Sequence, residues 1–361
     1  MAAARARGGA GRRLRTCPRG HGGEGRAAAG RGRRTPDRAA ARTARVKFLV
    51  TGGTGFIGAS VVRNLRGRGI PVVVGDIAVD ADVAQRLDGA EFVDLDVGDR
   101  QSVEAVFASQ PDMTHCIQLA YLMSAEVESD PPLGARVDVL GMTHMFDAAA
   151  RHRLQRLVFT SSETVYGASQ EPYGDRPVVE DDFCAPGGHH FTYGVMKLLN
   201  EFMARKYVER SGVSIACTRP AIVFGHGRKR GSVLWAGEFA SNPAVGTPVR
   251  LPFSSRARDT WIYKDDCAEQ LVRLALAPKL EHFAYNNGGE CVSGAELADA
   301  VRHWLPDAQI EFDESVPSTP LIDWQGGERL ERELGFRPRP LLEGVRAHIN
   351  EARLAGGLEP V

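Results

Sequence analysis

The sequence has no long hydrophobic run. Nowhere in its 361 residues is there a stretch approaching the roughly 20 apolar residues that a membrane-spanning helix needs, so we expect no membrane partner. An apolar segment near the N-terminus is also missing, which excludes a secretory signal peptide. The length of the chain is sufficient for one large domain, or two modest domains, with a buried core.

Paired cysteines and metal-ligand spacings are also absent. The six cysteines lie far apart with no C-x-x-C pair, and the ten histidines show no ligand spacing. This pattern excludes a disulfide framework and predicts no metal site. Reduced thiols are typical of a cytoplasmic protein, and we expect that location.

Acidic residues are scarce in residues 1–44, where 12 Arg, nine Gly and twelve Ala accompany only two carboxylates. With almost no large apolar side chains, this segment is predicted to be a disordered basic tail. Its arginines are compatible with a mitochondrial transit peptide, but its lack of serine and its glycines favour a disordered tail or an upstream start codon. The remaining residues carry 33 basic and 43 acidic groups, which argues against a nucleic-acid partner.

Short apolar strands alternate with helical patterns up to about residue 220. This alternation predicts an α/β protein with a doubly wound parallel sheet, the Rossmann arrangement. Glycine, proline and arginine then become frequent and the alternation is lost, which indicates a smaller C-terminal substrate domain. We predict a sheet domain from residues 45–220 and 262–290, and the substrate domain from residues 221–261 and 291–361.

The segment "TGGTGFIG" (51–58) follows the first predicted strand and opens the first predicted helix. Gly52 allows a tight turn, Gly55 lets the backbone approach a pyrophosphate, and Gly58 lets the helix pack on the strand. Asp76 closes the second strand, where a carboxylate can bind both ribose hydroxyls of NAD and would repel the 2′-phosphate of NADP. NAD is therefore the predicted cofactor.

Asp96 lies where a side chain could meet the adenine, although a helix-capping role is an alternative. The complete set predicted to bind the cofactor is Gly52, Gly55, Phe56, Ile57, Gly58, Asp76, Asp96, Val97, Leu119, Ala120, Tyr193 and Lys197.

Two tyrosines compete for a catalytic role. Tyr193 opens a helical stretch and precedes Lys197 by one turn, so phenol and ammonium share a helix face, whereas Tyr166 has no lysine at this spacing. A phenol is a poor base at neutral pH unless a nearby positive charge stabilises the phenolate. A hydroxyl from the strand end, Ser161 or Ser162, would orient the substrate oxygen.

The chain resembles the extended short-chain dehydrogenase/reductase superfamily, specifically the NAD-dependent epimerase/dehydratase group. The resemblance runs from about Val46 to the C-terminus and rests on "TGGTGFIG", "SSETVYG", "YGVMK", "TRPAIVFGHG" and "WIYKDDCAEQ". It implies that Ser162, Tyr193 and Lys197 are the catalytic residues, and that Tyr166 lines the site without acting as the base. It also implies a homodimer through a four-helix bundle of the helices at 130–153 and 192–211.

Departures from the family pattern bear on the reaction. Dehydratases of the group typically read S-T-D-E-V-Y-G, with adjacent acid and base carboxylates; here the pair is Glu163 and Thr164, so we expect no dehydration. Nucleotide-sugar enzymes usually have Asn where this chain has Ile222. Their usual segment R-D-F-I-Y-V-D-D reads "RDTWIYKDD" here, starting at Arg258, and is one residue longer. Other segments look similar to short-chain threonine dehydrogenases, but the threonine-binding G-T-T-D-Y segment is missing.

The sequence therefore predicts an NAD-dependent oxidoreductase that oxidises a secondary alcohol of a small molecule, either a hydroxy acid or a sugar derivative. A nucleotide-sugar 4-epimerase resembling UDP-glucose 4-epimerase is the alternative. A catalytically inactive dinucleotide-binding regulator is a third hypothesis, which the intact Tyr193 and Lys197 disfavour.

Overall fold

The computed structural model describes residues 46–79, 81–87 and 89–361, so the predicted basic tail lies outside the described residues. Within these ranges the chain forms the following strands: β1 (Phe48–Thr51), β2 (Val72–Asp76), β3 (Glu91–Asp94), β4 (His115–Gln118), β5 (Arg156–Thr160), β6 (Ile215–Arg219), β7 (Ile222–Phe224), β8 (Val249–Leu251), β9 (Arg258–Tyr263), β10 (Ala284–Asn286), β11 (Glu290–Ser293) and β12 (Ile310–Phe312).

The helices of the same ranges connect and cover these strands. They are α1 (Phe56–Gly67), α2 (Ala81–Arg86), α3 (Arg100–Ser109), α4 (Ser124–Ser129), α5 (Pro131–Gly134), α6 (Met142–Arg151), α7 (Thr192–Ser211), α8 (Trp235–Ala244), α9 (Lys264–Leu276), α10 (Gly294–Trp304), α11 (Glu328–Leu334) and α12 (Leu341–Ala355).

The central sheet is parallel throughout, with the strand order β10-β6-β5-β4-β1-β2-β3. The chain moves outward from β1 to β3 and then returns to β4 on the other side of β1. In such sheets the crevice at this reversal, beyond the carboxyl ends of the strands, is the usual ligand position. The predicted doubly wound Rossmann class is confirmed.

Both faces of the central sheet are buried, which explains the continuous apolar runs in its strands. Leu49 and its neighbours on one face pack against α3, α6 and α7. Phe48 and Val50 on the other face pack against α1 and α9. Because successive strand residues point to opposite faces, each apolar run serves both cores.

A separate apolar core joins the C-terminal elements. Strand β9 pairs with β7 and β11, β8 pairs with β12, and α8, α10 and α12 bury side chains around Trp261. These elements fall almost entirely within 221–261 and 291–361. The division into two domains stays a prediction.

Two elements differ from the sequence-based expectation. Helix α8, which contains Pro243, falls in the stretch where the sequence indicated only a loss of alternation. The helix expected at residues 130–153 is interrupted by a π-helical segment, Ala135–Gly141. This segment buries Asp138 completely, and π-helical turns are common at functional sites.

Candidate active site

The glycine loop has the close backbone contacts that its sequence predicts. Gly52 has φ of +62°, and a Cβ there would lie 2.8 Å from the carbonyl oxygen of Leu119. A Cβ at Gly58 would collide with the carbonyl oxygen of Gly52. Gly55 is exposed at the N-cap of α1, which has no side-chain cap, so the first-turn N–H groups remain free for an anionic group.

The carboxylate of Asp76 lies beside this loop. Its Oδ2 atom accepts a hydrogen bond from the Thr54 hydroxyl at 2.5 Å, and its Oδ1 atom accepts one from the Ile77 amide at 2.9 Å. Asp76 is half-buried at the end of β2. The sequence analysis missed Thr54, although its position inside "TGGTGFIG" was the available signal.

Asp96 follows β3, and its carboxylate already accepts hydrogen bonds from other residues of the protein. Its carboxylate accepts hydrogen bonds from the Gly98 amide and from Arg136, each at 2.8 Å. The N-cap of α3 is Asp99, so the alternative helix-capping role for Asp96 is wrong. An adenine contact stays a prediction. The side chain of Val97 is buried in the core behind the sheet.

The remaining predicted cofactor residues flank the loop. Phe56 and Ile57 are half-buried at the start of α1. The amides of Leu119 and Ala120 donate to the Thr51 hydroxyl at 3.1 and 3.2 Å, which holds the end of β4 against the end of β1. The glycine positions without room for a side chain, the uncapped helix and the strand-end carboxylate together fit a dinucleotide.

The two adjacent serines of "SSETVYG" have different environments. Ser161 is buried and donates a hydrogen bond to Glu201 Oε1 at 2.6 Å, and Glu201 in turn pairs with Arg219 through both carboxylate oxygens. Ser162 accepts one bond, from the Thr164 amide at 3.2 Å, as the N-cap of a 3₁₀ turn. The Ser162 hydroxyl hydrogen therefore remains available for a ligand.

Tyr166 is hydrogen-bonded to Arg219, the same arginine that pairs with Glu201. Its hydroxyl donates to Asn286 Oδ1 at 2.7 Å and accepts from Arg219 at 2.6 Å, and its ring is buried. This environment supports the assignment of Tyr166 to structure rather than to proton transfer.

Helix α7 places Tyr193 and Lys197 one turn apart, and the Lys197 Nζ atom lies 5.2 Å from the centre of the Tyr193 ring. Nζ donates to the Thr160 carbonyl at 2.9 Å and also lies 2.9 Å from the centre of the Tyr121 ring. Gly194 lets the start of α7 approach Thr164, since a Cβ there would lie 2.7 Å from the Thr164 carbonyl oxygen. The turn after β5 and the helix are thereby brought together.

Burial dominates the electrostatics of this pair. It lowers the pKa of Lys197 to about 7, against the opposing effect of the Asp138 carboxylate. Burial also raises the pKa of Asp138 to about 6, with Lys197 opposing. For Tyr193, burial and then Asp138 raise the pKa above its ordinary value, and Arg228 lowers it. The expected depression of the Tyr193 pKa is therefore not present in the protein alone.

Glu163 is buried beside Ser162, and burial followed by Asp259 raises its pKa well above the ordinary range. Its Oε2 atom and the Thr164 hydroxyl have no hydrogen-bond partner within the described ranges. Thr164 supplies no carboxylate at the position where the dehydratases have their base. The absence of dehydration stays a prediction.

Three residues near this site escaped the sequence analysis: Tyr121, Asp138 and Arg228. Asp138 accepts a hydrogen bond from the Leu122 amide at 2.8 Å, and its Oδ2 atom is buried with no hydrogen-bond partner among the described residues. None of the three stands in a motif with fixed spacing to Tyr193. A carboxylate amid the apolar "RVDVLGM" pattern was the only signal.

Across the ranges that the structure describes, no cluster of His, Cys, Asp and Glu side chains could hold a metal ion. None of the helices in those ranges combines the length and the apolar composition needed to cross a membrane.

Comparison with known proteins assigns the chain to a family. The model of the NAD-dependent epimerase/dehydratase family matches residues 48–288, from the first strand of the sheet to just past the last. The chain belongs to the NAD-dependent epimerase/dehydratase family. It is therefore an enzyme of this family with NAD as its cofactor, as the glycine loop and Asp76 predict.

Relatives in this family catalyse different reactions. The chain is 26% identical over 317 residues to dTDP-glucose 4,6-dehydratase of Streptomyces niveus, covering 81% of this chain and 88% of that one. It is 27% identical over 345 residues to D-erythronate dehydrogenase of Cupriavidus necator, covering 86% and 100%. It is 27% identical over 296 residues to the mitochondrial L-threonine 3-dehydrogenase of Sus scrofa, covering 77% and 74%.

Among solved structures, the UDP-glucose 4-epimerase of Thermus thermophilus in complex with NAD matches with a TM-score of 0.70 at 26% identity. The match covers 85% of this chain and 99% of the epimerase. The family thus includes dehydrogenases, epimerases and dehydratases, and membership alone does not select among them.

Proposed function

We propose that this family member is a dehydrogenase that oxidises a secondary alcohol, either a hydroxy acid or a sugar derivative, with Ser162, Tyr193 and Lys197 as catalytic residues. One observation carries the proposal: Lys197 lies 5.2 Å from the Tyr193 ring and donates to the Thr160 carbonyl at the end of β5, two residues before Ser162. Within the described ranges, no hydrogen bond uses the Tyr193 hydroxyl or the hydroxyl hydrogen of Ser162. Ser161 and Tyr166, the competing candidates, are both engaged in the network around Arg219.

Each catalytic residue has a task that follows from its position. Ser162 donates its hydroxyl hydrogen to the substrate oxygen, and Tyr193 takes the proton that this oxygen loses. Lys197 and Arg228 supply positive charge that favours the phenolate of Tyr193. When bound, NAD supplies the acceptor for the hydride that leaves the substrate carbon. The products are a ketone and NADH, which balances the loss of one proton and one hydride.

Substitution of Tyr193 by Phe tests whether the site is catalytic. We expect NADH formation to fall by roughly 10² to 10⁴, the usual contribution of a positioned acid or base, while NAD affinity persists. Unchanged turnover would rule out Tyr193 as the base, whereas a wild type that binds NAD and forms no NADH would favour the inactive regulator.

The alternative, a nucleotide-sugar 4-epimerase, is favoured by the similarity to the Thermus thermophilus enzyme. An epimerase must retain its ketone and return the hydride to the other face, which requires firm anchoring away from the reacting carbon. Ile222 is 2% exposed in the C-terminal core and offers no polar contact. Arg258 lines a surface pocket with Cys291, Asp323 and Trp324.

A substrate screen separates the two functions. We expect the purified enzyme to depend on added NAD, to accumulate NADH with a suitable secondary alcohol, and to bind UDP weakly. Tightly retained NAD, with interconversion of UDP-glucose and UDP-galactose and no net NADH, would establish the epimerase instead.

We also propose a cytoplasmic homodimer. Leu140 is 53% exposed, and α7 exposes Val195, Leu199 and Phe202 at 47%, 43% and 62%. These side chains lie on the two helical segments that the family resemblance assigns to a four-helix interface, and exposed apolar patches favour association. The five cysteines within the described ranges are unpaired, which supports a reducing compartment.

A further inference from the structure

Arg228 lies in the loop between β7 and α8, next to the proposed catalytic residues. Its guanidinium carbon is 5.6 Å from the centre of the Phe56 ring, at the start of the glycine-loop helix. Its charge acts on the pKa of both Tyr193 and Glu163, and theirs act on its own. The guanidinium therefore lies near the start of the glycine-loop helix and close enough to Tyr193 for the two groups to influence each other's pKa.

The loop that carries Arg228 is fixed to the segment following β4. The hydroxyls of Ser232 and Ser124 are 2.8 Å apart and share a hydrogen bond. Arg230 approaches Glu126 to 3.6 Å. A side chain on a loop held at two points is positioned before any ligand arrives.

The hydrogen bonds of Arg228 leave one edge of the guanidinium free. Nη1 donates to the Val223 carbonyl at 3.0 Å. Nε is buried without a partner in the described chain, and no described carboxylate lies within 4.0 Å of the guanidinium. Nε and Nη2 form the side-on edge, the one that binds a carboxylate through two parallel hydrogen bonds. By contrast, the buried Arg219 is fully paired with Glu201.

Glu163 is the acid whose charge affects the pKa of Arg228, and the two form no ion pair within the described ranges. Burial, followed by Asp259, raises the pKa of Glu163 well above its usual range, which favours the uncharged form of this acid. Burial lowers the pKa of Arg228 to about 10, which leaves the guanidinium charged at neutral pH. Lys264, which also lies near Phe56, pairs with Glu351. An unpaired cation beside a neutral acid favours an anionic ligand.

We propose that Arg228 binds the carboxylate of a hydroxy-acid substrate through its Nε and Nη2 edge, next to the hydroxyl that Ser162 and Tyr193 hold. This inference rests on the proposed dehydrogenase function and narrows its substrate class. The proposed substrate class matches the substrates named for two relatives, D-erythronate and L-threonine, since both carry a carboxylate near a hydroxyl.

The test compares each acid with its primary amide, which has the same shape and no charge. The panel contains D-erythronate, L-threonine and other short hydroxy acids, each with its amide. We expect wild-type kcat/KM to favour the acid by roughly a hundredfold, the order expected for a desolvated charge pair. In Arg228→Met the ratio of acid to amide should fall close to one, whereas Arg228→Lys should retain part of it.

The ratio of kcat/KM for the acid to kcat/KM for its amide is the appropriate readout. Loss of Arg228 also raises the pKa of Tyr193, and this change slows the oxidation of acid and amide equally. Lys229→Met, on the same loop and exposed, is the matched control and should leave the ratio unchanged. Circular dichroism and the thermal midpoint show whether each variant is folded. Where a pair is not turned over, the dissociation constants of acid and amide from the enzyme–NAD complex give the same ratio.

Each contrary outcome identifies a different error. If Arg228→Met weakens NAD binding and leaves the ratio unchanged, the guanidinium serves the cofactor pyrophosphate. If it weakens UDP-hexose binding instead, the anion is a nucleotide-sugar diphosphate. Equal use of acids and amides by the wild type would overturn the carboxylate site while leaving the dehydrogenase intact. Failure of the dehydrogenase itself would appear as a wild type that forms no NADH with any secondary alcohol tested.

Discussion

The ammonium nitrogen of Lys197 lies 2.9 Å from the centre of the Tyr121 ring, while the same nitrogen donates to the Thr160 carbonyl. The ring is fixed because the Tyr121 hydroxyl donates to the Gln118 carbonyl at 2.7 Å and accepts from the Thr160 amide at 3.0 Å. The aromatic face thus stabilises the charged form of a lysine that burial would otherwise discharge.

Replacement of Tyr121 should therefore act through Lys197. We expect Tyr121→Leu to lower kcat by about tenfold, because a desolvated cation–π contact contributes roughly 1–2 kcal/mol. Tyr121→Phe keeps the ring and should retain most of the activity. Equal losses in both variants, measured by steady-state kinetics beside thermal midpoints, would place the effect in the hydroxyl bonds instead.

The adjacent serines should respond differently to loss of the hydroxyl. Ser162→Ala should lower kcat/KM by roughly 10² to 10⁴ with little change in stability, since its hydroxyl bonds only the Thr164 amide. Ser161→Ala removes the partner of a buried carboxylate and should cost about 1–3 kcal/mol of unfolding free energy. Chemical denaturation and kinetics of both variants check this, and the reverse pattern would contradict the assignment.

The pH profile should report the buried Asp138. Its negative charge stabilises the protonated forms of Lys197 and Tyr193, because it raises the pKa of both. Asp138→Asn removes that charge, so both groups should lose their protons at lower pH. We expect the acidic limb of log kcat/KM to move down by roughly half a unit to one unit.

Below pH 6 the variant and the wild type should converge, because Asp138, whose pKa is raised to about 6, is then protonated in the wild type. Asp147→Asn, at a half-buried carboxylate on α6 that is paired with Arg151, is the matched control and should leave the profile in place. A limb that moves to higher pH in Asp138→Asn would contradict this account.

Asp76 should determine the choice of cofactor. We expect the wild type to prefer NAD, and Asp76→Ala to lose affinity for NAD and discriminate less against NADP, since the carboxylate repels a 2′-phosphate. Asp94→Ala is a suitable control because Asp94 lies on β3 directly beside Asp76. Dissociation constants for both cofactors check the prediction, and a wild-type preference for NADP would show that the strand-end carboxylate plays another role.

The exposed face of α7 should mediate dimerisation. Phe202→Glu places a charge in the proposed interface and should convert a dimer into a monomer in analytical ultracentrifugation at micromolar concentration. Phe183, which is 77% exposed outside the helices, provides the control Phe183→Glu. A wild type that is monomeric under these conditions would argue against the interface.

Local sequence was sufficient for the cofactor end of the molecule. The glycine loop is one strand, one turn and one helix, and its requirements are met by residues within a few positions of each other. Asp76 is predictable for the same reason, because parallel strands place successive carboxyl ends at one edge of the sheet. The spacing of Tyr193 and Lys197 follows from the pitch of a single helix.

Only the tertiary structure distinguished the chemically similar candidates at the catalytic end. Ser161 and Ser162 are adjacent in sequence, and their difference arises from Glu201 and Arg219, which belong to a helix and a strand later in the chain. The sequence therefore determined which residues have the chemistry for catalysis. The packing of distant segments decided which of them remain available for catalysis or binding, because a buried hydroxyl or guanidinium with a hydrogen-bond partner has a structural role. Arg228 has no such partner on its Nε and Nη2 edge within the part of the chain that the structure describes.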